Sequence, residues 1–290
     1  MAKPLRRVAV LTHLLADSTA AALRELAEVG AEYGLQLLLP TEEAAKHPLA
    51  DELGYRRIGA RDLHMADLCL VFGGDGSILR ALGRLLGSGV PTLGVNFGNV
   101  GFLASLPQER WRDGLAEVLA GRYQVAELLT VEARLPDGCF AAVNDVVLSR
   151  PHRHGVLHLE YAIAGASLGG MRCDGMIVAT PTGSTAYNLS CGGPLVVWDA
   201  SVLVLNFVAP HSLGFRPLVL RPEHVIEVCN AGDVSEAEVV VDGRVVGVLS
   251  KGDCLRIGAS PLRALLLLQE GASFYRNVEE KLFGFGADAR

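Results

Sequence analysis

The sequence predicts an α/β domain followed by an all-β domain, and three observations carry that prediction. Up to about residue 120, short apolar runs alternate with segments whose apolar residues recur at helical spacing. One such run, residues 68–72, passes directly into Gly73-Gly74-Asp75-Gly76-Ser77 and then a helical stripe, the strand–turn–helix order of an open, Rossmann-like α/β fold. From about residue 126 the helical period fades, Val- and Leu-rich runs take over, and Asp137-Gly138 and Asp242-Gly243 mark hairpin turns. Residues 1–125, with a returning tail at 272–290, are therefore assigned to the α/β domain, and residues 126–271 to the β-rich one.

Residues 7–11 read as a buried opening strand. Lys3, Arg6 and Arg7 ahead of the apolar residues 8–16 imitate a secretory leader, but Thr12 and His13 interrupt the run and an amphipathic helix follows. Ser18 is placed to cap that helix, whose apolar positions are Leu23, Leu26, Gly30 and Tyr33. Residues 35–39 form a second strand; residues 41–67 are polar and mixed and define no element. Residues 68–72 are apolar throughout, as in a strand covered on both faces. Ile78, Leu79, Leu82, Leu85 and Leu86 form the stripe of the next helix, which Gly87 and Gly89 end. Residues 91–96 give another strand, and Trp111, Leu115, Val118 and Leu119 another helix. Residues 166–170 are small and read as flexible, and residues 274–283 turn helical again.

Composition narrows the function classes. Half of the 290 residues are apolar, enough for two ordinary cores. The net charge of −6 argues against nucleic acid or an anionic membrane as the partner. No run reaches the roughly 18 apolar residues of a membrane helix; Asp199 breaks the best candidate, residues 195–209. The six cysteines (Cys69, Cys139, Cys173, Cys191, Cys229 and Cys254) form no CxxC pair and read as mostly free thiols of a reducing compartment.

The first motif, residues 73–77, sits where open α/β sheets bind ligands, with glycines for close approach and helix N–H donors for an anion. A carboxylate beside phosphates is repulsive, so Asp75 has a use: it accepts a proton from an attacking hydroxyl, or it holds Mg²⁺. Ser77 caps the helix or bonds an oxygen. Neither GxxxxGK[ST] nor GxGxxG is present. The second motif, residues 96–105, alternates glycine with Asn96, Phe97, Asn99 and Phe102; Phe97 offers a face to a flat ring, and Phe102 reads as core. The third, residues 173–194, runs from a buried strand into a loop rich in hydroxyls and glycine, with Thr182, Ser184, Thr185 and Tyr187. Donors without net charge suit a ribose or the diphosphate of a dinucleotide.

Taken together, GGDGS, NFGNVGFL, NDVVL, CDGMIVATPTGSTAYNLSCGGP and APHSL, in this order, resemble the NAD kinase family over nearly the whole chain. The first motif alone is shared with lipid kinases and distantly with phosphofructokinases; the third is specific. The resemblance implies an N-terminal α/β domain, a C-terminal all-β domain with NAD bound between them, and a tail that returns to the first. It implies phosphorylation of the adenosine-ribose 2′-hydroxyl of NAD, with ATP or polyphosphate as donor and Mg²⁺ or another divalent cation carried through the ATP phosphates. A cytoplasmic homodimer or homotetramer follows from the same resemblance. Position by position, Asp75 is the general base and Gly73, Gly74 and Gly76 seat the donor phosphates. Gly76 also contacts NAD, and Phe97 stands by the adenine. Asn144 and Asp145 hold ribose hydroxyls, Asp174 bonds the nucleotide, and Arg172 meets phosphate. Thr185, Ala186, Tyr187, Asn188, Leu189 and Ser190 line the NAD site, with Ala209 and His154 as further contacts. Departures from the family pattern are Ser77 for Thr, Asp145 for Glu, Cys191 for Ala and Arg244 for Gln. Arg244 either binds phosphate or is solvated. His152, His154 and His158 either bind a metal or form a solvated polar segment. The competing readings are a lipid or sugar kinase, and a silent NAD-sensing module; the second predicts loss of Asp75, which is present.

Overall fold

The computed structural model describes residues 5–13, 19–98, 101–151, 155–232 and 236–283. Ser18, His152 and His154 fall outside them. The chain divides into two compact units, Met1–Glu127 with Ala264–Arg290, and Leu128–Arg263.

The first unit is built on parallel strands in the order Arg56–Ile58, Gln36–Pro40, Arg7–Thr12, Leu68–Phe72 and Thr92–Asn96, with Leu266 of the last strand, Cys254–Gln269, pairing with Thr92. Every residue of Leu68–Phe72 is buried, which is why that stretch reads as an unbroken apolar run. Helix Ala20–Tyr33 buries Leu23, Leu26 and Gly30 as expected, but Ala22 and Val29 complete the buried face and Tyr33 is exposed. Its end is set by Gly34, whose φ of 65° only glycine adopts without strain. Residues 41–67, unassignable from sequence, hold a one-turn helix, Thr41–Ala44, the short strand Arg56–Ile58 and a 3₁₀ segment, Ala60–Met65. None is long enough to display a period. Phe72 anchors the core, with Trp111 and Phe97 edge-on at 5.2 and 5.4 Å. The tail packs here: Phe274 lies 6.2 Å from the Phe102 ring.

The second unit is a β-sandwich. One sheet is antiparallel in the order Leu218–Leu220, Leu203–Val208, Gly175–Ala179, Asp145–Ser149, Ala237–Val241 and Arg244–Leu249. The other pairs Ala166–Cys173, Leu157–Ile163, Ile226–Asn230 and the start of Cys254–Gln269. Met176, Val178, Leu205 and Val239 of the first sheet share a core with Leu157, Leu159, Val228 and Ile257 of the second. Ile177 and Ala179 face the other way, into a smaller cluster covered by Cys191 and Val196, so strand Gly175–Ala179 is buried on both sides.

Three details refine the sequence reading. Residues 166–170, read as flexible, instead open strand Ala166–Cys173, a hairpin partner joined to Leu157–Ile163 by Ala164 and Gly165, both at positive φ. His158 lies inside strand Leu157–Ile163, opposite Arg172. Cys69, Cys139, Cys173 and Cys191 are free, but Cys229 and Cys254 form a disulfide. They stand directly opposite on adjacent strands, a register that a sequence separation of 25 does not disclose. Among the described residues no helix is long and apolar enough to cross a membrane.

Candidate active site

In the first unit, helix Asp75–Arg84 begins on Asp75 itself, so the carboxylate lies in the turn where the helix dipole favours negative charge. Gly73 is required by packing, since a Cβ there would approach Ser77 Cβ to 2.7 Å. A Cβ on Gly74 or Gly76 would meet nothing within 4 Å, which leaves that side of the turn open. Asp75 is held on both oxygens: Phe102 N–H donates to Oδ2 at 2.7 Å and Leu103 N–H to Oδ1 at 3.0 Å. A Cβ on Gly101 would stand 2.0 Å from Oδ1, so only glycine lets this backbone come so close. Lys281 Nζ lies 3.8 Å from Oδ2, and the Asp75 side chain is 32% exposed. Each oxygen keeps a second lone pair, so the carboxylate is fixed in orientation yet able to accept from a hydroxyl. Arg80, one turn along the helix, donates to Ser77 Oγ at 3.1 Å.

In the second unit, the Asp242-Gly243 turn carries φ values of 45° and 77°, both in the left-handed region of a two-residue hairpin. Its carboxylate accepts the backbone N–H groups of Val143, Asn144 and Asp145 at 2.8, 2.8 and 3.2 Å. Asp242 thus organises the turn that presents Asn144 and Asp145. Asp145 is 6% exposed; burial, and then the Asp242 charge, pushes its carboxyl up to about 7. Burial raises Asp242 as well, against the three N–H bonds. The loop at 180–185 docks on the same turn: Thr180 N–H donates to Asn144 O, and Thr180 Oγ to Val143 O. Gly183 is essential to it, because a Cβ would come within 2.0 Å of Asn144 O. Asn144 Oδ1 and Thr182 Oγ1 are buried with no partner among the described residues. An unmet buried polar atom costs roughly 1–3 kcal/mol, which a ligand hydroxyl would recover.

Asp145 yields a test in pH. Folded, it stays protonated until about pH 7. Unfolded, it ionises near pH 4. Wild-type stability therefore falls across that window as pH rises, because the unfolded chain releases the proton first. Asp145→Asn lacks this fall, so melting temperatures of the two proteins should converge toward pH 4 and separate above pH 7 in favour of the variant. Parallel curves would contradict the assignment.

Asp174 sits at the other end of the sheet, its Oδ2 3.0 Å from the Arg150 guanidinium. Sequence reading does not single out Arg150; the pairing of Gly175 with Ser149 brings it beside Asp174. Tyr187 is exposed on the one-turn helix Tyr187–Ser190, and burial of its hydroxyl, then Cys191, Asp174 and Asp145, raises its ionisation. Thr185, Ala186 and Leu189 are half-buried and Ser190 exposed. Asn188 turns inward, fully buried, bonding Ser184 O, Pro194 O and Asn206. Arg172 and Arg244 are exposed, the latter at the start of strand Arg244–Leu249. Ala209 adopts φ 45° just past strand Leu203–Val208. Phe97 is half-buried against Phe72, and Phe102 is 2% exposed. His154 lies outside the described residues. Among those described, no three His, Cys, Asp or Glu side chains are grouped to hold a metal ion.

Comparison with known proteins gives a consistent answer. Residues 32–123 match the model of the ATP-NAD kinase N-terminal domain, and residues 143–268 that of the ATP-NAD kinase C-terminal domain. An NAD kinase of Symbiobacterium thermophilum is 38% identical over 75% of this chain and 79% of that protein. One from an Acidovorax species is 34% identical over 97% of both. Among solved structures, yeast NADH kinase complexed with NADH shares the fold at a TM-score of 0.88 and 24% identity, over 99% of this chain and 90% of that one. The NAD kinase of Archaeoglobus fulgidus in complex with ATP aligns at 0.74 and 26% identity, over 96% and 97%. The chain belongs to the NAD kinase family.

Proposed function

We infer that this chain is an NAD kinase that transfers the terminal phosphoryl group of ATP to the 2′-hydroxyl of the adenosine ribose of NAD, with Asp75 as proton acceptor. The observation that carries the assignment of Asp75 is its two-point anchoring at the mouth of a glycine turn, with a lone pair left on each oxygen. In the step, the ribose 2′-oxygen forms a bond to the γ-phosphorus, the bond from that phosphorus to the β,γ-bridging oxygen breaks, ADP leaves, and the hydroxyl proton passes to Asp75. Catalysis of this kind is positioning and charge neutralisation, not covalent chemistry. A single carboxylate beside an open phosphate turn fits a divalent cation bound mostly through the donor, as Mg²⁺ usually is. When bound, that ion offsets the charge of the donor phosphates.

For NAD, we assign the ribose hydroxyls to Asn144 and Asp145 and the opposite end of the ligand to Asp174. Asp145 pairs with Ala179, five residues from Asp174, so the two positions stand about 17 Å apart along the strand direction, which suits an extended dinucleotide better than a compact substrate. Family membership also supports a cytoplasmic homodimer or homotetramer. A coupled assay tests the reaction: purified protein, NAD, ATP and Mg²⁺, with NADP read by an NADP-specific dehydrogenase. Steady NADP formation is expected. NAD binding without turnover, with ATP or with polyphosphate, would favour the sensing module.

A further inference from the structure

A carboxylate that must stand beside incoming triphosphate needs opposing charge close by, and a chain of net charge −6 has little to spare. The helix N-terminus supplies only about half a unit of positive charge. Among the described residues, a full cation within 4 Å of Asp75 comes from 206 residues further along the chain: Lys281 Nζ, 3.8 Å from Oδ2.

Its position is not accidental to a wandering tail. Phe274, Asn277 and Lys281 recur at helical spacing, and all three converge on Phe102, the residue whose N–H holds Asp75. Phe274 lies 6.2 Å from the Phe102 ring, Asn277 Nδ2 donates to Phe102 O at 3.2 Å, and the Lys281 ammonium sits 4.4 Å from the ring centroid. The ring thus fixes the cation, and the same residue fixes the carboxylate. At 3.8 Å the ammonium is beyond hydrogen-bond length from Oδ2, so it screens Asp75 without capturing the lone pair the reaction uses.

We propose that Lys281 is a positioning residue for phosphoryl transfer: held on Phe102 by the C-terminal segment, it is the counter-charge that keeps Asp75 in place beside the donor phosphates. This rests on the reading of Asp75 as proton acceptor. A merely structural Lys281 would act through packing alone, and the charge reading makes a different prediction.

The test is steady-state kinetics of the full chain with Lys281→Met, Lys281→Arg and Asn277→Ala, with melting temperatures alongside. Lys281→Met keeps length and apolar contact and removes charge. It should lower kcat about tenfold or more and raise KM for ATP several-fold, with KM for NAD nearly unchanged. Lys281→Arg should restore most of the loss, and Asn277→Ala, which keeps the cation, should lose less than Lys281→Met. Wild-type kinetics for Lys281→Met would overturn the proposal. So would equal losses in the Met and Arg variants that track a fall in melting temperature. Asp75→Asn, measured in parallel, separates the two readings: near wild-type turnover there sinks the base assignment, whereas an impaired Asp75→Asn with an unimpaired Lys281→Met sinks only the counter-charge.

Discussion

Asp75→Asn should lower kcat for NADP formation by about 10²-fold or more, the scale of a lost general base, while KM for NAD changes little. The substitution preserves volume and removes the charge. It also leaves one oxygen where two were used, so it can accept from Phe102 or from Leu103 but not from both. One hydrogen bond lost from the loop costs roughly 1 kcal/mol, and a small fall in melting temperature accompanies the kinetic defect. The two effects separate the roles. A large loss of kcat with a small loss of stability identifies a proton acceptor; a comparable drop in stability with kcat within about threefold would make Asp75 only a latch for residues 101–103.

The second large effect concerns Asp242. Asp242→Ala removes the acceptor of three backbone N–H groups at once, those of Val143, Asn144 and Asp145. Some relief follows from ending the repulsion with Asp145, but unmet N–H groups dominate, and a net loss of about 2–4 kcal/mol is expected. Denaturant unfolding measures it. KM for NAD should rise as well, because the turn that presents Asn144 and Asp145 loses its organiser. Asp242→Asn retains an acceptor and tolerates the φ of 45°, so it should keep most of the stability while removing the charge that faces Asp145. Equal stability of the Ala variant and the wild type would mean that water satisfies those N–H groups and that Asp242 is not the organiser.

What could be read from sequence divides along a physical line. Local signals were sufficient for the α/β and β-rich character: strand Leu68–Phe72 is apolar because both faces are covered, and Asp242-Gly243 is a turn because two successive left-handed residues are needed. The turn chemistry was legible, but the work of the Asp242 side chain was not, since its partners lie 97–99 residues away and meet it only through strand register. Arg150 on Asp174, Lys281 on Asp75 and the Cys229–Cys254 bridge are of the same kind. Strand Ala166–Cys173 was missed for another reason. Its small residues and glycines carry weak β-propensity, and the hairpin with Leu157–Ile163 overrides it. The Asn188 side chain is engaged inside the loop and gives that loop its shape, a role that also depends on contacts the sequence does not display.

As an NAD kinase, the chain is expected to place a phosphate on one hydroxyl of NAD. The most direct measurement is ³¹P NMR of the product formed from NAD, ATP and Mg²⁺ by the purified protein. The prediction is a single new phosphomonoester on the adenosine ribose, at the 2′ position, appearing together with ADP. ATP consumed without a new ester on NAD, or an ester at another hydroxyl, would contradict it.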